Sequence, residues 1–135
     1  AENASSPDAP QFGEPTDGSN ERWPSYSIWA KFSRFVDLYD FFYNESVGVL
    51  RSHPGCVPLC IEHKNVVDKA YANFKEKYPN AIGGYSTINN GKPFYEWEED
   101  PTWPIENEYL ARLEWLKFWI DWALENCTEP VFENY

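Results

Sequence analysis

Apolar residues recur along three stretches of this chain at the three- and four-residue spacing of a buried helix face. The first holds Ile28, Phe32, Phe35, Val36, Tyr39, Phe42 and Tyr43, with Lys31, Arg34, Asp37 and Asp40 largely outside the stripe. It predicts one amphipathic helix from about Ser27 to Tyr43. In the second, Val67, Ala70, Tyr71, Phe74 and Tyr78 share a face, which predicts a helix from about Glu62 to Tyr78. Pro79 ends it, because the residue before a proline is pushed out of helical geometry.

The third stretch follows the helix-start cluster Asp100-Pro101-Thr102-Trp103-Pro104 and runs to about Asn126. One stripe is Ile105, Tyr109, Leu113, Leu116, Ile120, Ala123 and Cys127. A second, largely across the helix at 100° per residue, is Trp115, Phe118, Trp119 and Trp122. Glu114, Lys117, Asp121 and Glu125 form a narrow polar wedge between them. A helix apolar on two sides is either central in its domain or half-covered by a partner.

Residues 44–60, with Gly48, Pro54, Gly55 and Pro58, read as a loop. Asn90-Gly91 between β-friendly flanks is a hairpin signal, with strands expected near Gly84–Ile88 and Pro93–Trp97. The first 25 residues are rich in Pro, Gly, Ser and acid and read as an extended acidic arm. Phe12 and Trp23 are its candidate anchors, on the body of the same chain or on a partner. The expected architecture is α+β: a single globular domain over 26–135 with three helices, the C-terminal one central, one β-hairpin packed across an end, and the extended N-terminal arm over 1–25.

Composition changes this picture at one point. Apolar residues make up 42% of the 135-residue chain and charged residues 24%, both ordinary, but aromatics reach 19%. Acids outnumber bases 22 to 11, a net charge of −11. Residues 1–25 carry −4, residues 26–95 carry +2 and residues 96–135 carry −9. The excess is therefore concentrated in the C-terminal third. That sign excludes a broad basic surface for nucleic acid, and no apolar run reaches the length of a transmembrane segment. An acidic face that also carries aromatics suits a protein partner with a basic surface. Trp97, Trp103, Trp115, Phe118, Trp119 and Trp122, with Glu98, Glu99 and Asp100, are the candidate partner-binding residues.

Three chemistries compete with docking. His53, Cys56, Cys60 and His63 fall in eleven residues as H-x2-C-x3-C-x2-H. Two thiolates and two imidazoles could hold zinc, although the spacing matches no common zinc module. A Cys56–Cys60 or Cys60–Cys127 disulfide, or buried thiols, would use the same residues. Glu96 and Glu98, on one strand face beside tryptophans, could form a glycosidase-like acid pair. Cys60 and His63 also have the residue types of a nucleophile–base pair, but three residues apart at a helix start they meet by local geometry alone. No common hydrolase, nucleotide-binding or zinc-protease motif is present, so no catalytic residue is assigned and the sequence leans away from an enzyme.

Asn3, Asn44 and Asn126 sit in N-x-S/T acceptors, a mild excess over chance. With an alanine start that fits a cleaved signal or a trimmed methionine, this tilts the expected location towards secretion or an organelle lumen. The leading functional expectation is a non-catalytic protein-binding protein, an accessory subunit of a larger complex or an inhibitor of a basic partner. Behind it stand a secreted glycoprotein or effector that binds a ligand or host protein, and a small metal-binding protein.

Overall fold

A computed structural model describes residues 4–10, 18–21, 26–52, 54–84, 86–89 and 92–134. The architecture is α+β: helices α1 (Tyr26–Phe35), α2 (Tyr39–Tyr43), α3 (Ile61–Lys77) and α4 (Ile105–Asn126), with strands β1 (Gly55–Pro58) and β2 (Val131–Asn134). None of the described helices is long and apolar enough to cross a membrane.

The single helix expected over 27–43 is two. Asp37 adopts the left-handed conformation at φ 59°. Around it the Leu38 N–H reaches the Ser33 carbonyl at 2.7 Å and the Asp37 N–H reaches that of Arg34 at 3.4 Å. This is the Schellman closure of a helix end, with Asp tolerated where Gly is commoner. The apolar period reads through the break because Phe32, Val36, Leu38 and Phe42 are all buried on the core side. Beyond α2 the chain doubles back, and the Val49 and Leu50 N–H groups bond the Phe41 and Phe42 carbonyls at 2.9 and 2.8 Å. Gly48 makes this possible. A Cβ there would lie 2.6 Å from backbone atoms of both Phe42 and Asn44.

The hairpin expected around Asn90-Gly91 is also corrected. Those two residues lie outside the described ones, but their flanks are 3₁₀ turns, Thr87–Asn89 and Phe94–Glu96, rather than strands. The buried Asn89 amide replaces a strand ladder, donating to the Glu98 carbonyl at 3.0 Å and accepting the Glu98 N–H at 2.8 Å. One side chain thus pairs with the backbone nine residues on. Pro93, lacking an N–H, could not have joined a ladder at its own position.

The antiparallel pair is elsewhere. β1, inside the stretch read as loop, pairs with β2, so that Gly55 lies opposite Asn134 and Val57 opposite Phe132. Val57 is buried, and Phe132 packs against Phe42 at 6.2 Å.

The last two long helices match expectation closely. α3 packs along α4, and a closed ring of charge joins them. Lys64 bridges Asp68 and Asp121 at 2.8 and 2.9 Å, and Lys117 bridges the same two carboxylates at 2.9 Å each. Leu110, Leu113 and Leu116 of α4 are fully buried, and Ile120, Trp115 and Trp119 are buried, the two tryptophans at 7% exposure. Across from α3, Trp115 meets Trp29 of α1 at 6.1 Å, while Tyr109 meets Phe35 at 4.7 Å. α4 is the central helix.

Phe12 and Trp23 lie outside the described residues. The described parts of the arm are held by the body of the chain. Ser5 bridges Ser19 in antiparallel fashion, Ala9 is buried in the core, and the Trp115 indole N–H donates to the Ser19 carbonyl at 2.8 Å.

Two substitutions check these assignments by urea denaturation. Trp115→Ala should cost about 3–5 kcal/mol, the range for a large aromatic removed from a packed interior. Asp37→Gly should be neutral or stabilise by up to about 1 kcal/mol, whereas Asp37→Val should cost about 1–2 kcal/mol because a branched residue resists the left-handed region. Equal stability of the two Asp37 variants would show that the break is not capped as described.

Candidate functional site

Past Pro79 the chain is laid against the first turns of α4 by one buried residue. Asn107 accepts the Ile82 N–H on its side-chain oxygen at 2.9 Å and the Gly84 N–H on its backbone carbonyl at 3.2 Å. Gly84, at φ 157°, directs its own carbonyl to the Trp103 indole N–H at 3.1 Å. The Trp97 indole N–H is tied to the Lys92 carbonyl at 2.9 Å. Both rings are therefore oriented by backbone rather than left to find a rotamer.

Asp100 fixes the loop between them. One of its oxygens accepts the Ser86 hydroxyl, and the other accepts the Thr102 N–H and hydroxyl at 2.9 and 2.6 Å. These bonds favour the charged form and hold the Asp100 carboxyl below its ordinary range, the Ser86 hydroxyl contributing most.

The result is a cleft of about 440 Å³ lined by Trp97, Glu98, Glu99, Asp100, Pro101 and Trp103, with Asn89 from the preceding turn and Ile105 and Glu108 from α4. Five of these nine, Trp97, Glu98, Glu99, Asp100 and Trp103, are residues to which the sequence assigned partner binding. Glu108 was missed. The available signal was its place one turn along α4 from Ile105, which puts the two on one side of the helix. Burial pushes the Glu108 carboxyl above its ordinary value of 4.5, and Arg112 pulls it down more weakly. Lys92 approaches the cleft only loosely, with its ammonium 3.8 Å from Glu98.

The remaining four candidates do not line this cleft. Trp115 and Trp119 are buried, while Phe118 and Trp122 are half-buried and pack edge-on against Trp119 at 5.1 and 5.2 Å. Trp122, seven residues from Trp115, lies on the same side of α4. The Trp119 indole N–H is buried without a hydrogen-bond partner among the described residues.

His53 lies outside the described residues, so the four-residue zinc set is not assembled by them. Among the described residues no three metal-ligating side chains cluster. Cys56 and Cys60 are exposed free thiols, so neither proposed disulfide forms. His63 does local work at the start of α3. Its Nδ1 accepts the Cys60 backbone N–H at 3.0 Å, lies 3.3 Å from the Cys60 sulfur, and its ring packs edge-on against Phe41. Burial lowers its affinity for a second proton.

Glu96 closes a 3₁₀ turn and does not line the cleft, so the acid pair expected on a strand face with Glu98 is not built. Of the glycan acceptors, Asn3 lies outside the described residues. Asn44 turns its side-chain oxygen to the Ser46 and Val47 N–H groups, and Asn126 is exposed at the end of α4.

Comparison with protein-family models, curated proteins and solved structures finds no match to this chain.

The raised Glu108 carboxyl gives a signed pH test. Its burial costs stability only while it is ionised. Below its ordinary value the group is protonated folded and unfolded alike and the cost is absent; the cost grows as pH rises through the higher folded value. Glu108→Gln should therefore raise Tm at about pH 7 and change it little at about pH 3. A variant equally stabilised at both pH values would trace the effect to packing instead.

Proposed function

We propose that this chain is a non-catalytic protein-binding protein, an accessory subunit or an inhibitor, that docks a partner with a basic surface at the cleft between residues 97–103 and the start of α4. One observation carries the reading: two tryptophans and four carboxylates share a single cavity, with no basic residue among its described lining residues and Lys92 reaching Glu98 only at 3.8 Å. Carboxylates beside indole rings attract a cation at long range and offer it a ring face at short range. The loop that presents them is held by the bonds of Asp100, Asn89 and both indoles, so little order has to be gained on binding.

The acids outside the cavity extend its field, since residues 96–135 carry eleven acids and two bases. Association would therefore be steered electrostatically, and exposed-charge steering is screened beyond about 10 Å at 0.1 M salt.

The test is to co-purify the partner from the native source and measure its association rate with the purified chain over a salt series. The rate should fall steeply as salt rises, and a Glu98→Lys/Glu99→Lys double variant should slow association by about tenfold or more with dissociation less affected. Rates flat in salt and indifferent to this charge reversal would defeat the reading.

A further inference from the structure

The cleft is specific enough in its chemistry to suggest which cation it takes. We propose that its occupant is an arginine side chain of the partner, its guanidinium lying against Trp97 and Trp103 and bonded by the cleft carboxylates. The inference rests on the docking function proposed above and adds the identity of the inserted group.

Three features favour guanidinium over ammonium. Planar, weakly hydrated guanidinium stacks on indole and forks onto a carboxylate with two parallel N–H bonds, whereas ammonium is a compact, strongly hydrated point charge. The cleft offers both matching partners in one cavity, whose volume of about 440 Å³ accommodates a long side chain. Its carboxylates also differ in availability. Asp100 is committed to Ser86 and Thr102, while Glu108 is half-buried and Arg112, which offsets that burial only weakly, has its guanidinium over the Trp29 ring at 5.1 Å. A guanidinium arriving in the cleft would compensate the burial of Glu108. The chain already uses the same kind of pairing, in the buried Arg112 on Trp29 and, at the surface, in Arg34 on Tyr39 at 4.7 Å.

The test uses three peptides of equal length, tetra-arginine, tetra-lysine and tetra-citrulline, titrated into the full chain and followed by calorimetry and tryptophan fluorescence. At about 0.15 M salt the arginine peptide should bind about fivefold or more tighter than the lysine peptide, and the uncharged citrulline peptide should not bind measurably. Trp103→Leu should reduce the arginine preference to below about twofold. Because Trp103 also anchors the loop through Gly84, Glu108→Gln provides a second arm that leaves both indoles in place and should weaken the arginine peptide more than the lysine peptide.

Equal affinity for the arginine and lysine peptides would overturn the arginine pocket while leaving the basic-partner reading standing. An arginine preference that survives both substitutions would place the site elsewhere and overturn it as well. Failure of both cationic peptides to bind would remove the pocket and the docking function together.

Discussion

A 22-residue helix with apolar side chains on opposite sides needs a wall on each side, and the fold is organised around supplying both to α4. α3 is one wall. The other is α1, through Trp29 and Phe35, with residues of the N-terminal arm added where the Ser19 carbonyl takes the Trp115 indole N–H. An amphipathic helix could have stood at the edge of the domain with one neighbour. α4 could not, because Trp115 and Trp119 left facing water would forgo burial worth several kcal/mol. The arm follows from this constraint. Its described residues add to that cover, with Ala9 buried in the core and the Ser19 carbonyl on the Trp115 indole N–H.

Central burial also determines what α4 can do with its charges. The segment 96–135 has only two bases, Arg112 and Lys117. Lys117 is held between Asp68 and Asp121 in the ring that joins α4 to α3. Arg112 is 7% exposed, with its guanidinium over Trp29. Both cations are thus engaged in holding the helix against its two walls. Of the acids at its N-terminal end, Glu108 is compensated by Arg112 only weakly, less than its burial costs it. Packing and the negative field of the cleft have one cause.

The sequence was most informative where structure is local. Period and stop signals placed α3 and α4 to within a residue or two, because an apolar stripe and Pro79 act within a few turns. Residues 97–103 stood out as a candidate because tryptophans and acids are contiguous there. Glu108 escaped because it enters from a different element and matters through burial, which spacing does not encode. The break at Asp37 escaped because the residues either side keep facing the core, so the period does not falter. The hairpin expected at 84–97 failed for a related reason. Asn89 reads as a turn residue, yet its amide takes over the pairing that two strands would have made. The actual strands, 55–58 and 131–134, lie more than seventy residues apart in sequence and one contains Gly55 and Pro58, so neither alternation nor proximity announces them.

The misplaced strands bear directly on the site. Had residues 84–97 formed a hairpin, alternation would have sent neighbouring side chains to opposite faces of the sheet. Glu96 and Glu98 would have shared one face while Trp97 pointed to the other. The 3₁₀ turn ending at Glu96 and the Asn89 clamp on Glu98 break that alternation. Trp97, Glu98, Glu99 and Asp100 can then line the same cavity as Trp103. Four consecutive residues on one concave surface require irregular backbone. Irregular backbone in turn requires its polar groups to be satisfied by side chains, which is the part played by Asn89, Asn107, Ser86 and Asp100. The acidic and aromatic character of the segment is written in its composition, but its gathering into a cleft depends on these small polar residues.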